Sequence, residues 1–321
     1  MATSVPGGGF DWSVMIPVYE PSELLNETLQ SVRVAVGRAE GSFQVEIVDD
    51  ASPSGSKAAF ADAAGMTVAY HRRDRNGGLA ACWNECIARA RGRLVHILHQ
   101  DDIVLPDFYA EMERLAAATP EAGMLFCRTI FRTGDQASPQ EAEQEHAGLV
   151  PDWLARIAGG QRIQCPSVVV RRDIYAQLGG YDPRLKFVID WEMWVRIAAS
   201  CKVAHLPLPL VEYRVHAQSE TARLQSRGCI TDDFVTGGRL ISATLARPEH
   251  ALNRRRAMSF LVWSSLVAAA NAERSGNYRA ARREAFSALR HWLFVMRPKQ
   301  SMRHFALLLR VLLKPNKPSP T

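Results

Sequence analysis

"RLVHILHQDDIVLPDFY", residues 93–109, runs from an apolar stretch directly into two adjacent aspartates. Leu94, Val95, Ile97 and Leu98 read as a short buried strand, and Pro106 marks the turn into the next helix. A strand that ends on paired carboxylates sets anionic oxygen at the rim of a sheet. The surrounding sequence has to say what Asp101 and Asp102 hold.

Outward from this stretch the first half of the chain alternates strand and helix. "WSVMIPVY" (12–19) is apolar and β-branched and stops at Pro17; a helix follows with Leu24, Leu25, Thr28, Leu29 and Val32 at helical spacing and Ser22 as its N-cap candidate. "FQVEIVDDAS" (43–52) is a second strand that closes on two aspartates. "SKAAFADAA" predicts a helix, "MTVAYHR" (66–72) a third strand, and "NGGLAACWNECIARARG" (76–92) a helix opened by glycines. Strands separated by helices of this length indicate parallel βαβ units with helices on both faces of the sheet. Ligands of such sheets bind outside the carboxyl ends of the strands, which is where Pro17–Glu20, Asp49–Asp50 and His99–Asp102 fall. The expected fold class is therefore α/β, a mostly parallel central sheet flanked by helices.

Further along, "GMLFCRTIFR" (123–132) is extended, and the acid-rich 133–148 has no periodicity and predicts a flexible surface loop. "FVIDWEMWVRIAAS" (187–200) is an amphipathic helix and "KVAHLPLPLVEYRVH" (202–216) a closing extended segment. From about residue 222 the pattern is helical, with a break at Ser275–Gly276 and a further helix in "SMRHFALLLRVLLK". The expected organisation is a flexible 1–11, a domain over 12–221, a basic helical region over 222–313 and a disordered 314–321.

With 321 residues, 47% hydrophobic and 22% charged, the chain has an ordinary globular composition. The six cysteines (82, 86, 127, 165, 201, 229) form no CxxC pair and no ligand cluster, which points to a reducing compartment rather than a disulfide scaffold. The N-terminus lacks the basic and apolar regions of a signal peptide, and no apolar run is long enough to span a bilayer. The expected location is the cytoplasm. The net charge of +6 is uneven: residues 251–321 hold 14 Lys/Arg against 2 Asp/Glu, so the rest of the chain is net acidic.

In order and spacing, "SVMIPVYE", "VEIVDDASPSG", "RNGGLAACWNECIARARGRLVHILHQDD", "LGGYDPRL", "DWEMWVRIA" and "YRVHAQS" resemble the family 2 glycosyltransferases, inverting enzymes with the GT-A fold; the resemblance covers roughly residues 12–217. It implies a nucleotide-diphosphate sugar as donor, a UDP-sugar favoured, and a divalent cation, Mn²⁺ or Mg²⁺, to neutralise the leaving diphosphate. By this resemblance Asp102 ligates the metal and Asp101 contacts the ribose or the metal shell. One of Asp49 and Asp50 bonds the base while the other orders the loop or meets the ribose. Pro17, Val18, Tyr19 and Glu20 lie along the base, with Arg75 and Asn76 also near the nucleotide, and His216 is a candidate beside the metal or diphosphate. Asp190 is the implied general base, deprotonating an acceptor hydroxyl; a plain helix-start role is the alternative. Trp191 is a candidate platform for an acceptor sugar, or part of a core stripe with Trp194. Two positions depart from the family pattern: His99 stands where its first Asp would be, and Ile189 where a Glu is common.

The implied function is inverting transfer of a sugar to a hydroxyl of a glycan or lipid-linked saccharide. The alternatives are a catalytically inactive nucleotide-binding or scaffold module of this fold, and a sugar-nucleotide nucleotidyltransferase. The last is disfavoured because "IPVYEPSE" replaces the glycine-rich basic loop it needs. The basic stretch 251–321 mixes Arg and Lys with Leu, Phe and Trp, which suits contact with an anionic membrane surface on the cytoplasmic face or packing on the catalytic domain. No nucleic-acid motif accompanies it, so nucleic acid is not an expected partner.

Overall fold

The structure is a computed structural model and describes residues 9–53, 66–216, 218–227 and 230–295. The chain divides into two compact units: residues 1–153, 162–183 and 200–215 form the first, and 154–161, 184–199 and 216–321 the second.

The first unit is built on one mixed sheet. Strands β1 (Phe10–Val18), β2 (Phe43–Asp49), β3 (Ala69–Arg72) and β4 (Gly92–Ile97) run parallel, in the spatial order β3-β2-β1-β4. Beyond β4 lie β9 (Val168–Arg171), β6 (Ala122–Thr133), β10 (Lys202–Arg214) and β5 (Ile103–Val104); β9 runs antiparallel to both of its neighbours, while β6 and β10 are parallel to each other. β1 is buried from Trp12 to Val18, so it reads as an unbroken apolar run rather than an alternating one. Helix α1 (Leu24–Gly37) buries Leu25, Thr28, Leu29, Val32 and Ala35, a stripe at 3.6-residue spacing that joins the core of Trp12, Ile16, Leu94 and Tyr109. Helices α2 (Leu79–Arg89), α3 (Phe108–Ala118) and α5 (Arg172–Leu178) complete its helical layers, and the short α4 (Trp153–Ile157) starts here and ends in the second unit. Gly92 is required by packing: a Cβ there would come within 2.3 Å of the Trp12 carbonyl carbon. Cys82 and Cys86 are buried core residues of α2.

Several details differ from expectation. β1 runs through Pro17, which pairs with Val48, and it begins at Phe10, so residues 10 and 11, expected in a flexible N-terminus, belong to a strand. Asp11 is tied down there by the Ser42 N–H and hydroxyl, each at 2.9 Å, and these bonds hold its carboxyl below the usual range. No side chain caps α1 at its N-cap position, Glu23; Ser22 Oγ instead accepts the Leu24 N–H at 3.3 Å. Residues 133–148 are not a plain loop: β7 (Gln136–Pro139) forms a hairpin with β6, β8 (Gly148–Leu149) pairs with β10, and Glu143 bridges to Arg162 at 2.7 Å. The helix expected at "SKAAFADAA", the last helix and the C-terminal tail lie outside the described residues.

The second unit contains α6 (Ile189–Ala198), α7 (Glu220–Arg227), α8 (Ile230–Thr244), α9 (Ala251–Arg274) and α10 (Tyr278–Val295). α9 and α10 turn at Ser275–Gly276, where Gly276 adopts φ +77, and they meet through Val262, Leu266, Ala269, Ala281, Ala285 and Ala288. No helix among the described residues is long and apolar enough to cross a membrane.

Candidate active site

In the first unit β1, β2 and β4 end side by side, Val18 opposite Asp49 and Ile97 opposite Met15. Two non-glycine residues just past these ends adopt the left-handed conformation, Glu20 (φ 48) and Ala51 (φ 59), a strain that clusters at ligand sites. Ser52 joins the two turns: its hydroxyl accepts the Glu20 N–H at 3.0 Å and donates to Asp49 Oδ1 at 2.6 Å.

Asp49 is fully buried. Oδ1 also accepts the Ser52 N–H at 2.8 Å, Oδ2 accepts the Tyr70 hydroxyl at 2.5 Å, and Arg72 lies 3.6 Å away. Asp50 binds the loop after β3: its carboxylate accepts the Arg73 guanidinium, the Gly78 N–H at 2.8 Å and the Gly77 N–H at 3.1 Å. Gly78 (φ +78) makes the turn into α2. Of the basic cluster, then, Arg72 and Arg73 are tied to the strand-end acids, the first to Asp49 and the second to Asp50. Arg75 and Asn76 are exposed, and Asn76 accepts the Gly78 N–H at 3.1 Å. Pro17 and Val18 are buried strand residues, the Val18 carbonyl accepting the Asp50 N–H at 2.8 Å. The Tyr19 backbone is clamped by the Gln100 amide, which accepts its N–H at 3.1 Å and donates to its carbonyl at 3.2 Å.

After β4 the chain turns through His99, Gln100, Asp101 and Asp102. Thr28 on α1 fixes this turn, its hydroxyl lying 3.1 Å from the Gln100 carbonyl and 2.8 Å from the Asp102 carbonyl. Ligand atoms of His99, Asp101 and Asp102 all lie within 4.8 Å of one another. Asp102 is 1% exposed; Oδ1 accepts the Arg214 N–H at 3.0 Å, and Oδ2 lies 3.2 Å from His99 Nδ1 without a well-formed hydrogen bond among the described residues. Burial raises the Asp102 carboxyl, and His99 draws it back. For His99, burial opposes the charged form, but Cys165 and Asp102 outweigh it and hold the imidazole well above its ordinary value. The His99 ring is stacked on Trp83, with centroids 5.3 Å apart. Arg214 reaches Glu27 at 3.0 Å through Nη1, while its buried Nη2 has no partner among the described residues. Such a set, two carboxylates and an imidazole, with the buried Asp102 Oδ2 met by His99 alone and only as an ion pair, fits a divalent cation once the imidazole gives up its proton.

The second unit holds Asp190, His216 and Trp191. Asp190 stands half-buried in the first turn of α6. Its Oδ1 accepts the Trp191 N–H at 2.7 Å and its Oδ2 the Gln161 side-chain amide at 2.6 Å. Glu192, also in that turn, is buried and engaged by Arg196 at 2.9 Å. Trp191 corrects the acceptor-platform expectation: it is 1% exposed, its indole N–H donates to the Ile157 carbonyl at 2.7 Å, and Phe260 packs edge-on against it at 5.0 Å. A stacking platform needs an open ring face, so Trp191 is core, as is Trp194. His216 is half-buried, with Nδ1 3.4 Å from the Gln218 side chain.

Sequence reading missed Gln100, Thr28, Arg214 and Gln161, and held Arg73 only as one of three arginines, with Arg72 and Arg75, that were candidates near the nucleotide. Of the missed residues, Gln100 and Arg214 stand inside quoted motifs, "RLVHILHQDD" and "YRVHAQS".

Residues 13–175 match the family model for glycosyl transferase family 2. Among curated proteins, the chain is 26% identical over 227 residues to the uncharacterized protein MT1568 of Mycobacterium tuberculosis, covering 67% of this chain and 70% of that protein. It is 28% identical over 214 residues to the uncharacterized protein Rv1520 of the same species, covering 64% and 59%. Among solved structures it resembles S. aureus TarS 1–349 in complex with UDP-GlcNAc, with TM-score 0.67, 16% identity and coverage of 94% and 89%. A second is the mannosyltransferase PcManGT from Pyrobaculum calidifontis in complex with GDP-Man and Mn²⁺, with TM-score 0.53, 17% identity and coverage of 97% and 89%. The fold is the GT-A fold that the motif order implied, and the chain belongs to glycosyl transferase family 2.

Proposed function

We propose that this glycosyltransferase moves a sugar from a nucleotide-diphosphate donor, a UDP-sugar favoured, to a hydroxyl of a glycan or lipid-linked saccharide, with inversion at the anomeric carbon. The observation that carries the reading is the strand-end cluster of His99, Asp101 and Asp102, in which a buried carboxylate oxygen stands without a well-formed hydrogen bond. The nucleoside would lie along Pro17–Glu20, beside the strained Glu20 turn, with Asp49 and Asp50 ordering the loops at its edge. Asp101 would meet the ribose. Asp102, with His99 beside it, would hold Mn²⁺ or Mg²⁺. The ion, when bound, neutralises charge developing on the leaving diphosphate. Support comes from the two solved neighbours, whose complexes contain UDP-GlcNAc, or GDP-Man with Mn²⁺.

Asp190 is the base in this reading. Gln161 and the Trp191 N–H orient its carboxylate, which takes the acceptor hydroxyl proton as that oxygen attacks. The orphaned Nη2 of Arg214 is a donor suited to a diphosphate oxygen. Exposed Leu252, Trp263 and Phe286 on the basic helices α9 and α10 favour contact with an anionic bilayer surface, consistent with a cytoplasmic, peripheral location.

The test is a thermal-shift panel with UDP, GDP, dTDP and CMP, each with Mn²⁺ or with EDTA. Ligands that bind only the native state raise its apparent stability. A Mn²⁺-dependent shift with one diphosphate, lost in Asp102→Asn, is expected; no shift with any nucleotide would sink the reading.

A further inference from the structure

Within the second unit, residues 184–188 lead into α6 without regular structure of their own. Three successive backbone N–H groups there converge on one carboxylate. Lys186 donates to Asp233 Oδ1, and Phe187 and Val188 donate to Asp233 Oδ2, each at 2.8 Å. Asp233 belongs to α8 and is 7% exposed. The surrounding packing agrees with a dedicated contact. Phe234 meets Phe187 edge-on at 5.8 Å. At Gly237, one turn along the same face as Asp233, a Cβ would fall within 2.7 Å of Val188 Cγ2, so α8 reaches this segment because position 237 lacks a side chain. The Val188 carbonyl then accepts the Glu192 N–H at 3.0 Å, opening the helix whose second residue is Asp190.

We infer that Asp233 is a positioning residue for the reaction: α8 sets the entry angle of α6 through three charge-assisted backbone bonds, and thereby the place of the Asp190 carboxylate. The inference rests on the reading of Asp190 as general base. Among the described residues the backbone donors of 186–188 bond to no other side chain, and an aspartate, with two acceptor oxygens, satisfies all three where an asparagine would turn its amide N–H₂ toward a donor. Small displacements of a reacting group cost large factors in rate. Loss of the carboxylate therefore lowers turnover while leaving nucleotide binding, which is read on residues of the first unit, unchanged.

The experiment compares full-length wild type with Asp233→Asn, Asp233→Ala and Asp190→Asn. Three quantities are measured: amide hydrogen exchange over 184–198, the thermal shift with each of UDP, GDP and dTDP in Mn²⁺, and release of nucleoside diphosphate from matched UDP-, GDP- and dTDP-sugars. For Asp233→Asn the expected result is faster exchange confined to 184–198, an unaltered nucleotide shift and turnover lowered about tenfold or more, with Asp233→Ala lower still. Faster exchange with full turnover would make Asp233 structural only and overturn the inference, as would unaltered exchange. Should Asp233→Ala fail to fold, Asp233→Asn alone decides. Full turnover in Asp190→Asn would instead overturn the base assignment, leaving the exchange data to judge whether Asp233 orders the segment.

Discussion

The strand-end acids of the first unit and the acid of α6 in the second differ in burial and in what they hold. Asp49 and Asp50 are buried at the end of one strand and spend their oxygens on Ser52 nearby and on Tyr70, Arg73, Gly77 and Gly78 of β3 and the loop after it. Asp102, at the end of an adjacent strand, keeps one buried oxygen without a well-formed hydrogen bond. Asp190 is oriented by Gln161, 29 residues before it in the chain, and its helix is entered through a contact with Asp233, some 45 residues beyond. A fully buried carboxylate whose bonds are already made orders structure, one left incompletely paired there costs stability and signals a ligand, and the half-buried Asp190, though oriented, keeps access to solvent.

The largest effect that would test this contrast is on catalysis. Asp190→Asn removes the proposed proton acceptor and keeps the Gln161 contact in outline, so kcat is expected to fall about 10²–10⁴-fold with nucleotide affinity unchanged. Asp102→Asn does the reverse, abolishing the Mn²⁺ dependence of nucleotide binding in calorimetry. If either variant reproduced the signature of the other, the division of labour would be wrong. A smaller change is expected at Asp50. Asp50→Asn strands the Arg73 guanidinium, whose side chain is 19% exposed, and lowers stability by roughly 1–3 kcal/mol in urea unfolding. An unaltered midpoint would mean that the loop after β3 does not depend on this acid.

A further measurement concerns the core beneath the strand ends. His96 is buried, with Nε2 2.9 Å from the Pro166 carbonyl and Nδ1 3.1 Å from the Tyr109 hydroxyl, an arrangement met by a neutral ring that donates to the first and accepts from the second. Burial depresses its pKa from 6.5 to about 4. The unfolded chain therefore binds this proton more readily than the folded one, so stability is complete above 6.5 and is lost as pH falls toward about 4. Acidification to about pH 5 should cost roughly 2 kcal/mol from this group, and His96→Gln should flatten that slope. An equal slope in the variant would assign the acid sensitivity elsewhere.

Much of the fold was legible because β1 and β4 write themselves as largely apolar runs, because β2 carries Val45, Ile47 and Val48 into a closing pair of aspartates, and because α1 repeats its apolar residues at helical spacing. The acid-rich 133–148 was not, since β7 is an exposed strand of Gln136–Pro139 whose only claim to structure is its pairing with β6. Trp191 misled for a related reason: an aromatic residue beside a candidate base looks the same in sequence whether its ring faces a sugar or, as here, Phe260. His99 and Asp102 could be named from a motif, but their 3.2 Å approach and the stacking of His99 on Trp83 depend on how α2 packs on the sheet.

The sequence by itself determined the class of fold, the ends of the parallel strands and the acids placed there, because hydrophobic periodicity and turn chemistry act over a few residues. The tertiary structure alone decided which acids are already satisfied and which are not. It inserted β9 antiparallel between β4 and β6, tied Asp50 to Arg73 and Asp190 to Gln161, and set Asp233 under the entry to α6. Hydrogen bonds and ion pairs need only that two groups meet in space, and no local pattern in the chain records that meeting.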